Sequence, residues 1–464
     1  MRQITTPRFI LSSNKLHAGK SLTAIGLCVA LRKRNIAIAC GVVGANQLQA
    51  TILKRLTRRY VRSLDLNLLT SSQVLATLEQ LSIGADLIML EGQQSLYDGV
   101  SPGSLKLSDA ELAALTKTPV ILLVDAEGYN SSIAALIKGF KDFAQGFKIE
   151  GVILNKSAAE NPAEARDKIY FDCALQAFGM QSLTGNIPKI DIAIPDLSVK
   201  FSQQNVSISH PLQFYKDLGN LIEKHVDIDG LIEKAKGASA LQLSDSGLIP
   251  MNRRTRIAVS EDSCFNLCFQ DNIDLLRLYG AEIVAFSPLA DEAIPKRVGA
   301  LYLSGALLFD YAEELSKNNN MKTSIKNFVE GGGVLYSEGA GSAYLCEEYE
   351  AAEDGVFFEG IGIIKGKAVK QASAFAYNEA IIIEDSILGH CGQILKGVSL
   401  GEWKLQAKNP IPRTLRIADD AINSFEEGYS AEAQTFSTFT FPHFGSNPTI
   451  AKNIVDAAEI VAKI

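Results

Sequence analysis

The sequence predicts an α/β protein built as two successive domains. Three observations predict it. Short apolar runs alternate with longer amphipathic stretches through the first half, the order expected of a mostly parallel sheet with helices on both faces. A Gly-Lys-Ser loop follows the first apolar run and opens a helix. A polar, turn-rich stretch, residues 236–254, then precedes a second half in which the strand pattern restarts.

The strands expected in the first half are Phe9–Leu11, Ile36–Val43, Leu87–Leu90, Val120–Val124 and Gly151–Leu154. Each is continuously apolar, as a strand buried on both faces must be. Ser21–Arg34 and Ile133–Phe143 carry helical periodicity between them. After the expected linker come Arg256–Ser260, Glu282–Ser287, Ala300–Ser304 and Val334–Ser337, then a strand-rich tail around Phe436–Phe441. The domains are therefore drawn as 1–235, a linker 236–254, and 255–464. In such sheets, functional groups gather at the carboxyl ends of the strands.

At roughly 150 residues per domain, 464 residues suit two or three domains. Hydrophobic residues are 47% and charged residues 21% of the chain, enough to bury a large core and too apolar for a disordered chain. A net charge of −7 argues against a nucleic-acid binder, which needs a basic face. No run of about 18 apolar residues predicts a membrane span. The opening MRQITTPRFIL lacks the layout of a secretory signal, and the seven cysteines are scattered. Both features lead us to expect reduced thiols in a cytoplasm.

The loop reads Ser12-Ser13-Asn14-Lys15-Leu16-His17-Ala18-Gly19-Lys20-Ser21. A helix N-terminus offers free N–H groups and a positive dipole end to an anion. Lys20 would add a mobile charge for phosphates, and the Ser21 hydroxyl would hold Mg2+. Ser13 and His17 stand where an ordinary phosphate loop has glycines, which let backbone wrap a phosphate closely. Two readings stay open: a nucleotide site, or a vestigial strand–helix turn. Lys15 stands five residues before Lys20, as a second lysine does in partition-type ATPases, but without their paired glycines.

Beyond the loop, the chain resembles the cobyrinate a,c-diamide synthase family over nearly its whole length. In the first domain the likeness rests on Gly19-Lys20-Ser21, Leu90-Glu91-Gly92, Leu96-Tyr97-Asp98-Gly99, Val124-Asp125 and Gly151-Val152-Ile153-Leu154-Asn155-Lys156. In the second it rests on Arg256-Ile257-Ala258-Val259, Ser287-Pro288-Leu289-Ala290-Asp291, Tyr344-Leu345-Cys346-Glu347 and the closing His443-Phe444-Gly445-Ser446-Asn447-Pro448. The resemblance implies a P-loop, dethiobiotin-synthetase-like domain followed by a flavodoxin-like domain of the class I glutamine amidotransferase type. It implies ATP and Mg2+ as ligands, held weakly by so altered a loop, with Gly19, Lys20, Ser21 and Asn155 on the nucleotide. Glu91 and Asp98 are the candidates for Mg2+ or substrate; for Glu91, a helix cap or a partner for Lys20 is the competing role. It further implies an acidic tetrapyrrole or similar small molecule as ligand, and a homodimer or partner protein.

The departures from the family fall on chemical positions. Its Tyr-x-Glu-Cys-Gly-Gly elbow reads Tyr336-Ser337-Glu338-Gly339-Ala340-Gly341, so the thiol nucleophile has become Gly339. Glutamine hydrolysis through a γ-glutamyl thioester needs that thiolate. By register with His443, the catalytic histidine has become Phe441. The Gly-rich oxyanion loop corresponds to Ser304-Gly305-Ala306-Leu307-Leu308-Phe309, and Gly-His-Glu-Phe-His to Gly397-Val398-Ser399-Leu400-Gly401. The amidotransferase half is thus expected to have no catalytic residues. In the first half, Gly-Pro-Asp-Tyr-Ile-Asp-Pro reads Gly44-Ala45-Asn46-Gln47-Leu48-Gln49-Ala50, turning two carboxylates into amides. Pro-Glu-Arg-His reads Pro195-Asp196-Leu197-Ser198.

Other features point less far. Cys346 is expected about two turns along the helix after the elbow, as a core residue. Cys264 and Cys268 make a poor metal site, and His17, His210, His225, His390 and His443 show no ligand spacing, so no metal centre is expected. Lys54-Arg55, Arg58-Arg59 and Arg62 form a basic stretch at helical spacing, either a solvated face or a contact for an acidic ligand. Three functions follow: a glutaminase-dead pseudoenzyme that binds a ligand or partner, an ammonia-using ATP-dependent ligase, or an interaction protein.

Overall fold

The computed structural model describes residues 2–157, 168–189, 212–243, 248–305, 311–350, 355–371, 375–401, 403–418 and 424–462. The chain divides into two compact units, residues 1–194 with 209–246, and residues 195–208 with 247–464.

The first unit runs β1 (Arg2–Ile4), β2 (Arg8–Ser13), α1 (Lys20–Lys33), β3 (Ile38–Val43), α2 (Gln47–Thr57), β4 (Arg62–Leu64), α3 (Ser71–Ser82), β5 (Leu87–Glu91), α4 (Asp109–Thr116), β6 (Val120–Asp125), α5 (Ile133–Asp142), β7 (Ile149–Ser157), α6 (Lys168–Ala177), β8 (Gly185–Pro188), α7 (Leu212–His225), α8 (Ile228–Lys236) and β9 (Leu241–Leu243). Seven strands form one sheet in the order β4-β3-β5-β2-β6-β7-β8. Every pairing in it is parallel. β2, β3, β5 and β6 are buried at every residue, the signature of a sheet covered on both sides. β2 is central, so the loop leaving its carboxyl end opens at mid-sheet, between β5 and β6.

Part of the stretch expected as a linker is folded. α8 runs to Lys236, and Leu241–Leu243 pairs antiparallel with Arg2–Ile4. Leu241 is buried and Gln242 exposed, a short period-two pattern that suits an edge pair. Arg8, wholly buried, ties the same region together by donating to the Thr116 carbonyl at 3.0 Å, to Thr118 Oγ1 at 3.1 Å and to the Ser239 carbonyl.

The second unit runs β10 (Thr255–Ser260), α9 (Gln270–Leu278), β11 (Ala281–Phe286), β12 (Ala300–Gly305), α10 (Ala312–Lys317), α11 (Asn319–Glu330), β13 (Val334–Gly339), α12 (Ala340–Leu345), β14 (Cys346–Glu350), β15 (Phe357–Glu359), β16 (Ile364–Lys370), β17 (Ala376–Ile382), β18 (Ile394–Ser399), β19 (Trp403–Gln406), β20 (Arg413–Ala418), β21 (Ser424–Tyr429), β22 (Thr435–Thr438), β23 (Thr440–Pro442) and α13 (Thr449–Ala462). A ten-stranded sheet has the order β11-β10-β12-β13-β22-β21-β20-β17-β18-β23. Its β11-to-β22 part is parallel and flavodoxin-like; beyond β22 the pairings turn antiparallel. A four-stranded sheet, β15-β14-β16-β19, stands apart. The fold is thus α/β throughout, a P-loop-type parallel sheet followed by a class I amidotransferase-type unit. Among the described residues, no helix is long and apolar enough to cross a membrane.

Two local expectations are corrected. α12 has a single short run and ends at Leu345, so Cys346 opens β14 instead of lying on a helix; it is buried, as a core residue should be. The basic stretch is not one helix face. α2 stops at Thr57 because Arg58 turns left-handed at φ 55°. Arg59 then donates to the carbonyls of Ile83 and Gly84, and Arg62 is buried in β4. The segments 195–198 and 306–309 and His210, weighed in the sequence, lie outside the described residues.

Candidate functional site

The loop between β2 and α1 presents Lys15, Leu16 and His17 to solvent and buries Ala18 and Lys20. His17 adopts φ 57° and Gly19 φ 97°, left-handed turns that let the chain double back before the helix. Gly19 is also a close approach: a Cβ there would stand 2.4 Å from Asn155 Nδ2. That amide reaches in from β7 to donate to the Ala18 carbonyl at 2.7 Å. Asn155 therefore pins the loop from beneath. Nearby, Lys15 and Lys156 both contact Asp125 Oδ2, at 2.9 and 2.8 Å, and Lys156 also donates to the His17 carbonyl at 3.2 Å.

Lys20 points back into the loop. Its Nζ donates to Ser13 Oγ at 2.9 Å and to the Gln94 carbonyl. Ser13, a side chain where glycine was expected, thus serves as an acceptor for the lysine. Desolvation lowers the Lys20 pKa, while attraction to Asp109, Glu91 and Asp98 opposes this. Asp98 is exposed and takes a hydrogen bond from Ser95, so it contributes charge to the site without entering it. Asp109, missed by sequence reasoning, is buried at the start of α4, accepting from Ser12 Oγ at 2.5 Å and from Gln93 N–H at 3.1 Å. Burial raises its pKa to about 6. Its signal was weak: a helix-start aspartate far from the loop in sequence, reading as ordinary N-terminal charge.

Glu91, at the end of β5, is buried and engaged at both oxygens. Ser21 Oγ donates to Oε1 at 2.7 Å and Gln49 Nε2 to Oε2 at 2.7 Å. Burial raises its pKa to about 7 against these bonds and against Lys20. No hydrogen bond joins it to Lys20 among those described; its role as a direct partner for that lysine is replaced by a longer-range attraction. The structure thus gathers Gly19, Lys20, Ser21, Glu91 and Asn155 at one strand end, with Asp98 at the rim.

The second place of interest is the bend between β13 and α12. Gly339 stands there at φ 56° and ψ −128°, a sharp strand-to-helix turn of the kind that presents a nucleophile. A Cβ at 339 would lie 2.2 Å from Phe441 Cζ and 2.8 Å from the Gly305 carbonyl. Phe441, on β23, is 2% exposed. Its ring occupies the volume a side chain at 339 would need. Gly305 is equally tight, with the Cys264 carbonyl 2.8 Å from a Cβ built on it.

Polar groups around the bend are committed to structure. Glu338 accepts from Tyr302 OH, Ser304 Oγ and Tyr336 OH, each at 2.7 Å, and burial still raises its pKa to about 7. Ser337 and Ser342 meet at 2.8 Å, Ser337 donates to Ser437 at 2.8 Å, and Ser342 donates to the Thr438 carbonyl at 2.7 Å. His443 is wholly buried, its ring 4.5 Å from that of Phe269. Its Nδ1 accepts from Gly445 N–H at 3.0 Å, which leaves the proton on Nε2, and burial lowers its pKa to about 3. A ring so held stays neutral with its Nδ1 lone pair occupied. Cys346 makes only a weak contact with the Ser342 carbonyl at 3.5 Å, and burial pushes its thiol up. A buried neutral thiol is inert.

The chain is similar to known proteins in both units. Residues 256–392 match the model of the CobB/CobQ-like glutamine amidotransferase domain. Cobyrinate a,c-diamide synthase of Listeria innocua is 28% identical over 459 residues, covering 97% of this chain and 99% of its own. That of Dehalococcoides mccartyi is 28% identical over 460 residues, covering 97% of each. That of Methanosarcina acetivorans is 29% identical over 423 residues, covering 84% of this chain and 83% of its own. With likeness running through both units and an amidotransferase domain matched in the second, the chain is similar over nearly its whole length to the cobyrinate a,c-diamide synthase family.

Proposed function

We propose that this chain is a pseudoenzyme of that family: its amidotransferase unit does not hydrolyse glutamine, and its first unit binds ATP weakly through the loop at Gly19–Ser21. The observation that carries the reading is the pair Gly339 and Phe441. A thioester mechanism needs a thiolate, a base and an oxyanion cradle. At the bend the first is a hydrogen atom, and the ring of Phe441 fills the space beside it. His443, the histidine nearest Phe441 in sequence, has its Nδ1 lone pair already used. A ligand of the retained scaffold, an acidic tetrapyrrole or a related small molecule, or a partner protein, would then be bound and not aminated. The test is glutamate release from glutamine by the purified full chain. The expected rate is that of buffer; turnover above it would remove the reading.

One observation favours a second reading. Lys20, Ser21 and Glu91 still meet at the end of β5. An ATP-dependent ligase that takes free ammonia, or ammonia from another subunit, would use the same three groups. ATP turnover that needs ammonium and a tetrapyrrole acid, and that is lost in Lys20→Ala, would select this reading over the first.

A further inference from the structure

Three side chains from three elements meet at the inner end of the phosphate loop: Ser21 in the first turn of α1, Gln49 in the first turn of α2, and Glu91 at the end of β5. Each oxygen of Glu91 has its own donor at 2.7 Å, the Ser21 hydroxyl on Oε1 and the Gln49 amide on Oε2. The same Gln49 nitrogen lies 3.4 Å from the Ser21 carbonyl. Both neighbours of that nitrogen are acceptors, so the amide must present its NH2 edge, not its oxygen. Gln49 and Glu91 are 3% and 4% exposed, so the arrangement is sealed from water.

A Mg2+ ion at this place would need oxygen ligands in near-octahedral array at about 2.0–2.1 Å. The groups present do not fit it. Gln49 turns hydrogens, not lone pairs, toward Glu91, and those hydrogens supply the positive field that a cation would supply. Asn46, the other amide of the stretch, is turned away: its Oδ1 accepts from the Gln49 N–H at 3.1 Å and caps α2. Both oxygens of Glu91 are engaged, and Asp109, the other buried carboxylate near Lys20, is held by Ser12 Oγ and Gln93 N–H. Among the described residues, no three His, Cys, Asp or Glu side chains converge as a ligand set.

We propose that the phosphate loop of this chain works without a divalent cation, the Gln49 amide standing where the ion would be. The ligand it takes is a metal-free phosphate-bearing anion, neutralised by Lys20 and the backbone amides of the helix start. This rests on the reading of the loop as a nucleotide site, and the test separates the two.

The experiment measures the thermal midpoint of the full chain in EDTA and in millimolar Mg2+ at matched ionic strength, for wild type, Gln49→Glu, Gln49→Ala and Gln49→Glu/Glu91→Gln. Wild type should show the same midpoint in both buffers. Gln49→Glu, which sets two carboxylates against each other, should lose roughly 5 °C in EDTA and recover most of it in Mg2+. Gln49→Ala should fall without recovery, and the double variant should lose the Mg2+ response. A saturable Mg2+ stabilisation of wild type overturns the proposal, as does a Gln49→Glu protein indifferent to Mg2+. ATP dialysis in EDTA then reads the nucleotide site itself: binding unchanged by Mg2+ supports the proposal, and binding that appears only with Mg2+ overturns it. Absence of ATP binding in both buffers removes the nucleotide reading and, with it, the metal-free ligand, whereas the midpoints still decide whether Gln49 stands in the ion's place.

Discussion

The two strand ends where chemistry would lie differ in what occupies them. At the loop of the first unit, polar groups remain and have turned toward one another: Lys20 to Ser13 and Gln94, Ser21 and Gln49 to Glu91, Asn155 to Ala18. At the bend of the second unit, the reactive volume holds carbon, the ring of Phe441 against the bare Cα of Gly339. In both, the backbone keeps its demanding turn, at Gly19 and at Gly339. At each turn the glycine is fixed by close packing, against Asn155 at Gly19 and against Phe441 and the Gly305 carbonyl at Gly339. Internal pairing leaves a site that an incoming anion can reopen; filling with a ring leaves no volume to reopen.

That contrast predicts that the bend is the more sensitive place to stability. Phe441→Ala should cost about 3–5 kcal/mol, the usual toll of an emptied aromatic site, read by chemical denaturation of the full chain. A loss of under about 1 kcal/mol would show that the ring is not packed as described. Gly339→Cys should cost about 3 kcal/mol, from strain at φ 56° and from overlap with Phe441 and Gly305, and should release no glutamate. Adding Phe441→His should return part of that loss, since the smaller ring gives the thiol room. If the single variant were as stable as wild type, the volume argument would fail.

Glu338 sharpens the comparison through pH. Ser304 has a single proton and two acceptors near it, the Leu267 carbonyl and Glu338. Burial favours the neutral form of Glu338 against these hydrogen bonds. Its pKa rises from 4.5 to about 7 on folding, so the folded chain holds a proton that the unfolded chain sheds between those values. This contribution is complete below pH 4.5, is lost as pH rises toward 7, and is constant above. It amounts to about 3 kcal/mol. Glu338→Gln should flatten that slope in denaturation curves taken across the window; an unchanged slope would assign it to Glu427, which is also buried and also raised to about 7.

Effects in the first unit should be smaller and should fall on binding. Lys20→Ala should weaken ATP binding by about tenfold, since one charge-assisted contact is removed. Asn155→Ala should cost about 1 kcal/mol and speed amide exchange from Ala18 to Ser21. Exchange at wild-type rates would mean that the loop is held by something other than Asn155.

Much of this was legible in the sequence. Apolar runs such as Val120–Val124 mark strands because a doubly covered parallel strand has no solvent face, and the structure places β6 there. Gly339 stood out in the sequence because Tyr336, Glu338 and Gly341 keep the elbow in register around it. What the sequence could not show is contact across distance. Gln49 and Glu91 are 42 positions apart, and only the parallel pairing of β3 with β5 brings them together. That Gly339 and Phe441 exclude each other needs the placement of β23 beside β13. Local geometry misled in two places, both at helix ends: α12 stops before Cys346 and α2 stops before Arg58, where a left-handed residue ends a periodicity that the side chains alone would continue.

The pairing of Arg2–Ile4 with Leu241–Leu243 sets a schedule for synthesis. Chains emerge from the ribosome at about 5–20 residues per second, N-terminus first. The strand made earliest waits for the strand made last in its own unit, and Arg8 waits for the Ser239 carbonyl. This pair therefore closes late, whereas the seven-stranded parallel sheet needs no strand beyond Pro188. A chain cut short of residue 243 would leave its opening strand without a neighbour, and a gene rearranged to join those ends directly would keep every other contact of the sheet.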